Sequence, residues 1–110
     1  EAPKLSLPIQ SCQAYIQQHL GEKLSMEVLS RVSGYTPHYL AARFKEETGQ
    51  SLTDFILSKK AEEAKRLLRY SEKPLTAIST YLAFSSPSHF SRVFKQYAGM
   101  LPREYREKYG

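Results

Sequence analysis

The chain has 110 residues, 41% of them hydrophobic, a globular composition sized for one compact domain or two very small lobes. Sixteen Lys and Arg against eleven Asp and Glu leave a formal charge of +5, a balance that favours a polyanionic partner. The lone Cys12 excludes an internal disulfide and a cysteine-ligated metal centre and fits a reducing, cytoplasmic setting; no apolar run approaches the ~20 residues of a bilayer span, and neither a membrane span nor a signal peptide is expected.

The opening Glu1-Ala2-Pro3-Lys4 reads as extended, and residues 1–6 as the remnant of a linker. Pro8 suits a first helical turn, Ile9, Cys12, Ile16 and Leu20 follow at helical spacing, and Gly21 offers a stop. Ser25 can cap a second, short helix with Met26, Leu29 and Val32 facing inward and Gly34 at its end. Thr36-Pro37 then reads as N-cap and first residue of a third helix running through Leu40 and Phe44 to Gly49. Two helices joined by a short turn containing Gly make a helix-turn-helix.

Ser51-Leu52-Thr53-Asp54 has the pattern of a capping box, and no Gly or Pro interrupts the chain through Ser71. One long helix is therefore predicted, about 28 Å in length. Phe55, Ile56, Ala64, Leu67 and Leu68 supply its apolar contacts, while Lys59, Lys60, Lys65, Arg66 and Arg69 are expected to keep its surface cationic. Leu75, Ile78 and Leu82 mark a fifth helix, Ala83-Phe84-Ser85 a turn, Ser86-Pro87 the opening of a sixth helix to Gly99, and Pro102 the start of a seventh with Tyr105 and Tyr109. The fold class is all-α, with seven helices in two helix-turn-helix lobes, 7–50 and 72–110, joined by a linker helix over 51–71.

The two lobes echo one another. Pro37, Phe44, Lys45 and Gly49 recur fifty residues later as Pro87, Phe94, Lys95 and Gly99, whereas Ser30 and Gly34 match Ser79 and Ala83 at forty-nine. The second turn is thus one residue longer than the first. Ser30 and Ser79, both small, are expected where the two helices of each unit approach most closely.

In a helix-turn-helix the second helix lies in the major groove and its N-terminal residues meet base edges, while flanking groups meet phosphates. A chain with two units can reach two adjacent grooves by itself if its recognition helices stand about one DNA turn, roughly 34 Å, apart. In the second unit the groove-facing candidates are Pro87, Ser88, His89 and Arg92, with Arg92 able to donate two hydrogen bonds to a guanine. Phe90, Val93, Phe94 and Tyr97 recur at helical spacing and read as core. In the first unit the equivalent positions are His38, Ala41 and Ala42, and Arg43 is displaced by one residue, about 100° around the helix, towards either the backbone or a base edge. Thr36, Lys45, Ser86, Lys95, Arg103 and Arg106 are candidates for phosphate contact. No pair among His19, His38 and His89 has metal-ligand spacing, so no metal or other cofactor is expected. With no Gly-rich phosphate loop and no nucleophile beside a local partner, the sequence does not read as an enzyme.

The stretch from Phe84 to Arg106, FSSPSHFSRVFKQYAGMLPREYR, resembles the signature of the AraC/XylS family of bacterial transcription regulators. The resemblance covers residues 7–107, with Tyr39-Leu40 and Phe44-Lys45 marking the first copy. It implies a two-lobed domain that binds double-stranded DNA in a sequence-specific manner, within a regulator, typically an activator, that contacts RNA polymerase. It also implies a separate N-terminal effector or dimerisation domain. By position, the base-reading sites of the family fall on His38, Ala41 and Ala42, and on Pro87, Ser88, His89 and Arg92. Five positions depart from the pattern: Ala42 replaces the common Arg of the first recognition helix, Ala83 the turn Gly, Ser30 and Ser79 small Ala residues, and Lys60 an Arg. Ala83 implies either a turn without positive φ or a modest strain. The competing reading is a helical protein-interaction module with incidental DNA contact, against which stand the two matched Ser/Thr-Pro helix openings.

Overall fold

The computed structural model describes residues 5–110, all of whose regular structure is helical: α1 Leu7–Gln18, α2 Met26–Ser33, α3 Pro37–Thr48, α4 Leu52–Tyr70, α5 Leu75–Tyr81, α6 Pro87–Ala98 and α7 Pro102–Tyr109. Prolines open α3, α6 and α7, and glycines in a left-handed conformation close α2, α3 and α6. The segment expected as a linker over 1–6 lies outside the described residues for 1–4. The chain divides into two compact units, the first ending at Ile56 and the second beginning at Leu57, so that α4 contributes residues to both.

In the first unit, Ile9, Cys12 and Ile16 of α1, Leu29 of α2, Leu40 and Phe44 of α3, and Leu52 and Phe55 of α4 form one core. The Phe44 and Phe55 rings meet edge to face at 5.3 Å, a favoured arrangement because the positive ring edge meets a negative ring face. Cys12 is fully buried, and desolvation pushes its thiol up to about 11. Ser25 caps α2 by accepting from the Val28 N–H at 3.3 Å. Gly34 closes α2 at φ 80, a left-handed conformation that needs no Cβ, and its N–H returns to the Ser30 carbonyl. Two expectations change here. The first helix ends at Gln18 rather than at Gly21, because His19 leaves the helical backbone at φ −129 while its ring stacks on Tyr15 and bonds the Tyr15 carbonyl. Met26, expected inward, is exposed at the first turn of α2, whereas Leu29 is fully buried.

In the second unit, Ala61, Ala64, Leu67 and Leu68 of α4, Ile78 of α5, Leu82, and Phe90, Val93 and Phe94 of α6 are buried. Phe84, Phe90, Phe94, Tyr105 and Tyr109 form a chain of ring contacts between 4.7 and 5.9 Å. The end of α5 differs from that of α2. Ala83 takes φ 60, with its N–H to the Thr80 carbonyl and the Phe84 N–H to the Ser79 carbonyl. That bonding is a Schellman ending; the extra residue of the second turn lies beyond it, between Ala83 and Pro87. Positive φ in a residue with a Cβ also settles the two alternatives for Ala83 in favour of strain.

The small residues have separate roles. Ser79 is buried in the second unit. Ser30 is half-buried and donates from its hydroxyl to the Tyr35 carbonyl, tying the turn before α3.

Candidate nucleic-acid interface

Both recognition helices open on proline. A proline at the start loses no hydrogen bond, since the first helical N–H has no intrahelical partner, and its φ is already helical. Ser86 accepts from the His89 N–H at 3.0 Å, while Thr36 occupies the same place without a side-chain bond to the helix. The solvent-facing side of each opening turn is then fixed by which residues the core claims.

On α3 the core claims Leu40 and Phe44, leaving Thr36, Pro37, His38, Ala41 and Ala42 exposed. Tyr39, half exposed, stands edge-on to Tyr35 at 4.8 Å. Arg43 is half-buried and held inside the unit. Its Nη1 pairs with Glu46 at 3.2 Å and its Nη2 with Glu47 at 2.6 Å. Glu47 is in turn held by Ser6, whose N–H donates to one carboxylate oxygen at 2.8 Å and whose hydroxyl donates to the other at 2.9 Å. These bonds, the Ser6 N–H foremost, hold the Glu47 carboxyl below the usual carboxylate range.

On α6 the core claims Phe90, Val93 and Phe94, leaving Pro87, Ser88 and Arg92 exposed. His89 is half-buried, its Nδ1 3.1 Å from the Ser85 hydroxyl and its ring edge-on to Phe84 at 5.3 Å. Among the described residues the Arg92 guanidinium has no hydrogen-bond or ion-pair partner. Lys45 and Lys95 are exposed near the ends of α3 and α6, and Arg103 is exposed in the first turn of α7. Arg106 is committed elsewhere: it donates to the Leu68 carbonyl at 3.1 Å and the Ser71 carbonyl at 3.3 Å, capping the end of α4.

Lys60 corrects the picture of α4 as cationic along this stripe. Its side chain is buried at 6% exposure, its ammonium donates to the Leu82 carbonyl, and desolvation pushes its pKa down to about 8. The signal was present in the spacing, since Ile56, Lys60, Ala64 and Leu67 recur at helical intervals on one side of α4. Glu47, four residues after Arg43, was likewise readable as an ion-pair partner; its link to Ser6, forty-one residues away, was not.

Among the described residues no group of three or more His, Cys, Asp or Glu side chains could hold a metal ion, and no helix is long and apolar enough to cross a membrane. Two helix-turn-helix units, each presenting the exposed first turn of a proline-opened second helix, define a double helix-turn-helix DNA-binding domain. Comparison with known proteins gives the family. The family described as "Helix-turn-helix domain" matches residues 29–108. The chain is 41% identical over 93 residues to the HTH-type transcriptional regulator YobQ of Bacillus subtilis, a match covering 84% of this chain and 39% of YobQ. It is 35% identical over 101 residues to the multiple antibiotic resistance protein MarA of Escherichia coli, covering 92% of this chain and 80% of MarA. In structure it is similar to the DNA-binding domain of the global transcriptional factor AdpA, solved in complex with a target DNA, with a TM-score of 0.88 at 25% identity and 94% of each chain covered. The chain belongs to the AraC/XylS family of helix-turn-helix transcription regulators, as its DNA-binding domain.

Proposed function

We propose that the chain lays α3 and α6 into successive major grooves of one duplex and takes most of its sequence information from α6. The observation that carries this reading is the contrast between two arginines: Arg92 is exposed and unpartnered on α6, whereas Arg43 of α3 is paired to two carboxylates and Ala42 stands where Arg92 stands in the repeat. An unpartnered guanidinium meets a guanine edge without first breaking an ion pair, and can donate two hydrogen bonds to O6 and N7. Ser88 and His89 then face bases or the adjoining phosphates, with Pro87 against the groove. His38, Ala41 and Ala42 read the first groove by shape and by contact with thymine methyl groups. Thr36, Ser86, Lys45, Lys95 and Arg103 serve the phosphates. Arg43 and Arg106 are assigned to bracing the units, since each reaches DNA only by giving up bonds within the chain.

The regulator is read as a cytoplasmic activator that works at promoters with RNA polymerase, its effector or dimerisation domain lying elsewhere in a longer protein. The match to YobQ supports the last point, since it leaves more than half of that protein for other domains. Selection of bound sequences from a random duplex library tests the reading. Two half-sites about one helical turn apart, with information concentrated in one of them and erased there by R92A, are the expected result. Equal information in both halves, or no preference over random duplex, overturns it.

A further inference from the structure

The second turn combines three features absent from the first. Ala83 holds φ 60 where the first turn uses a glycine, Gly34, at φ 80. The carbonyl of Leu82 receives the ammonium of Lys60 from α4, and Lys60 is the only charged side chain buried among the described residues. Phe84, two residues on, lies 5.8 Å from that ammonium and packs against both His89 and Phe90 of α6. The first turn is held differently, by the Ser30 hydroxyl on the Tyr35 carbonyl and the Ser33 hydroxyl accepting from the Tyr35 N–H.

The carbonyl of Leu82 belongs to the peptide plane that leads into Ala83. Rotating that plane is the movement by which Ala83 would leave its left-handed conformation for one that a Cβ prefers. A donor fixed on α4 and aimed at this oxygen opposes the rotation. The same ammonium neighbours Phe84, whose ring contacts the first turn of α6, so one side chain touches both the peptide plane and a residue packed on the helix opening.

We propose that Lys60 is a positioning residue for DNA reading: it clamps the Leu82–Ala83 peptide and so sets the direction in which α6 presents Arg92. This rests on the reading of Arg92 given above. Its particular consequence is that Lys60 matters because residue 83 is not glycine. With a glycine there, the left-handed turn is unstrained and the clamp becomes dispensable.

The experiment measures binding of the 110-residue chain, and of K60M, K60R, A83G and K60M/A83G, to a selected duplex and to the same duplex with the guanine opposite Arg92 replaced. Salt dependence and thermal melting are followed in parallel, with binding read well below each melting temperature. K60M is expected to lose roughly tenfold of the discrimination at that guanine with its salt slope unchanged, K60R to retain discrimination, and K60M/A83G to recover it. If K60M does not fold, A83G and K60M/A83G are compared directly and are expected to discriminate alike. A folded K60M that melts earlier yet discriminates as the parent does is a merely structural effect and overturns the proposal. A double variant that fails to recover, or that falls tenfold below A83G, overturns it too. The underlying reading fails separately: the parent chain then shows no preference at this base, or R92A leaves the preference in place, and the proposal falls with it.

Discussion

Arg92 and Arg43 sit one helical step apart in the alignment of the two repeats, and their surroundings determine what each guanidinium is available to do. Arg92→Ala is expected to cost about 1–3 kcal/mol of discrimination at a guanine; Arg43→Ala should leave discrimination nearly unchanged and act on stability instead. Fluorescence anisotropy on a panel of single-base duplex variants checks this, and equal losses from the two changes would contradict it. Glu47 gives a second prediction at this scale. Its carboxyl titrates below the usual range because the Ser6 N–H, the Ser6 hydroxyl and Arg43 favour the charged form. A depressed folded pKa means that its contribution is complete above the unfolded value, about 4.3, and is lost as the pH falls through the folded value. The difference in urea midpoint between the parent chain and E47Q should therefore be flat above about pH 5 and shrink below about pH 4. An equal difference at pH 3 and pH 7 would refute the assignment.

Among the elements, the two turns reach a left-handed conformation with different residues, Gly34 in the first and Ala83 in the second. Gly34 has nothing within 4 Å of where a Cβ would be built, so Gly34→Ala suffers only the conformational penalty of a left-handed residue, about 1 kcal/mol. Ala83 already bears that penalty, and Ala83→Gly should raise stability by up to about 1 kcal/mol, the relief of strain exceeding the added flexibility of the unfolded chain. Opposite shifts of the melting temperature, measured calorimetrically, are the expected signature; a loss of stability in A83G would mean that its φ carries little strain. Elements whose limits depend on neighbouring residues were legible in advance: the prolines opening α3, α6 and α7, the serine caps of α2 and α6, and the glycines closing α2, α3 and α6. The end of α1 was not, because the His19 ring stacked on Tyr15 accompanies an earlier exit from the helix than any glycine signal marks. Buried Lys60 was half legible. Its spacing puts it on the apolar stripe, but the carbonyl that receives it is twenty-two residues away and only the packing of the second unit brings it there.

For the whole molecule, the excess of positive charge acts through counterion release. Lys45 and Lys95 are exposed and unpartnered among the described residues, and replacing either with Ala should reduce the slope of log K against log salt by about 1, without altering sequence preference. A changed preference with an unchanged slope would place that lysine at a base instead. Composition and periodicity were enough to establish an all-α chain with two helix-turn-helix units, because helix limits and apolar stripes are local properties of neighbouring residues. The repeat itself located both recognition helices and the inequality between Arg92 and Ala42. What folding added was the fate of the charged side chains. Arg43, Arg106 and Lys60 look alike in a list of cations, yet the first is paired to carboxylates, the second caps α4 and the third donates to the Leu82 carbonyl, while Arg92 stays free. Arg43 has its carboxylates three and four residues away, but Lys60 and Arg106 carry no mark of their partners in their own neighbourhood, so their roles depend on which distant carbonyl the packed core brings within reach.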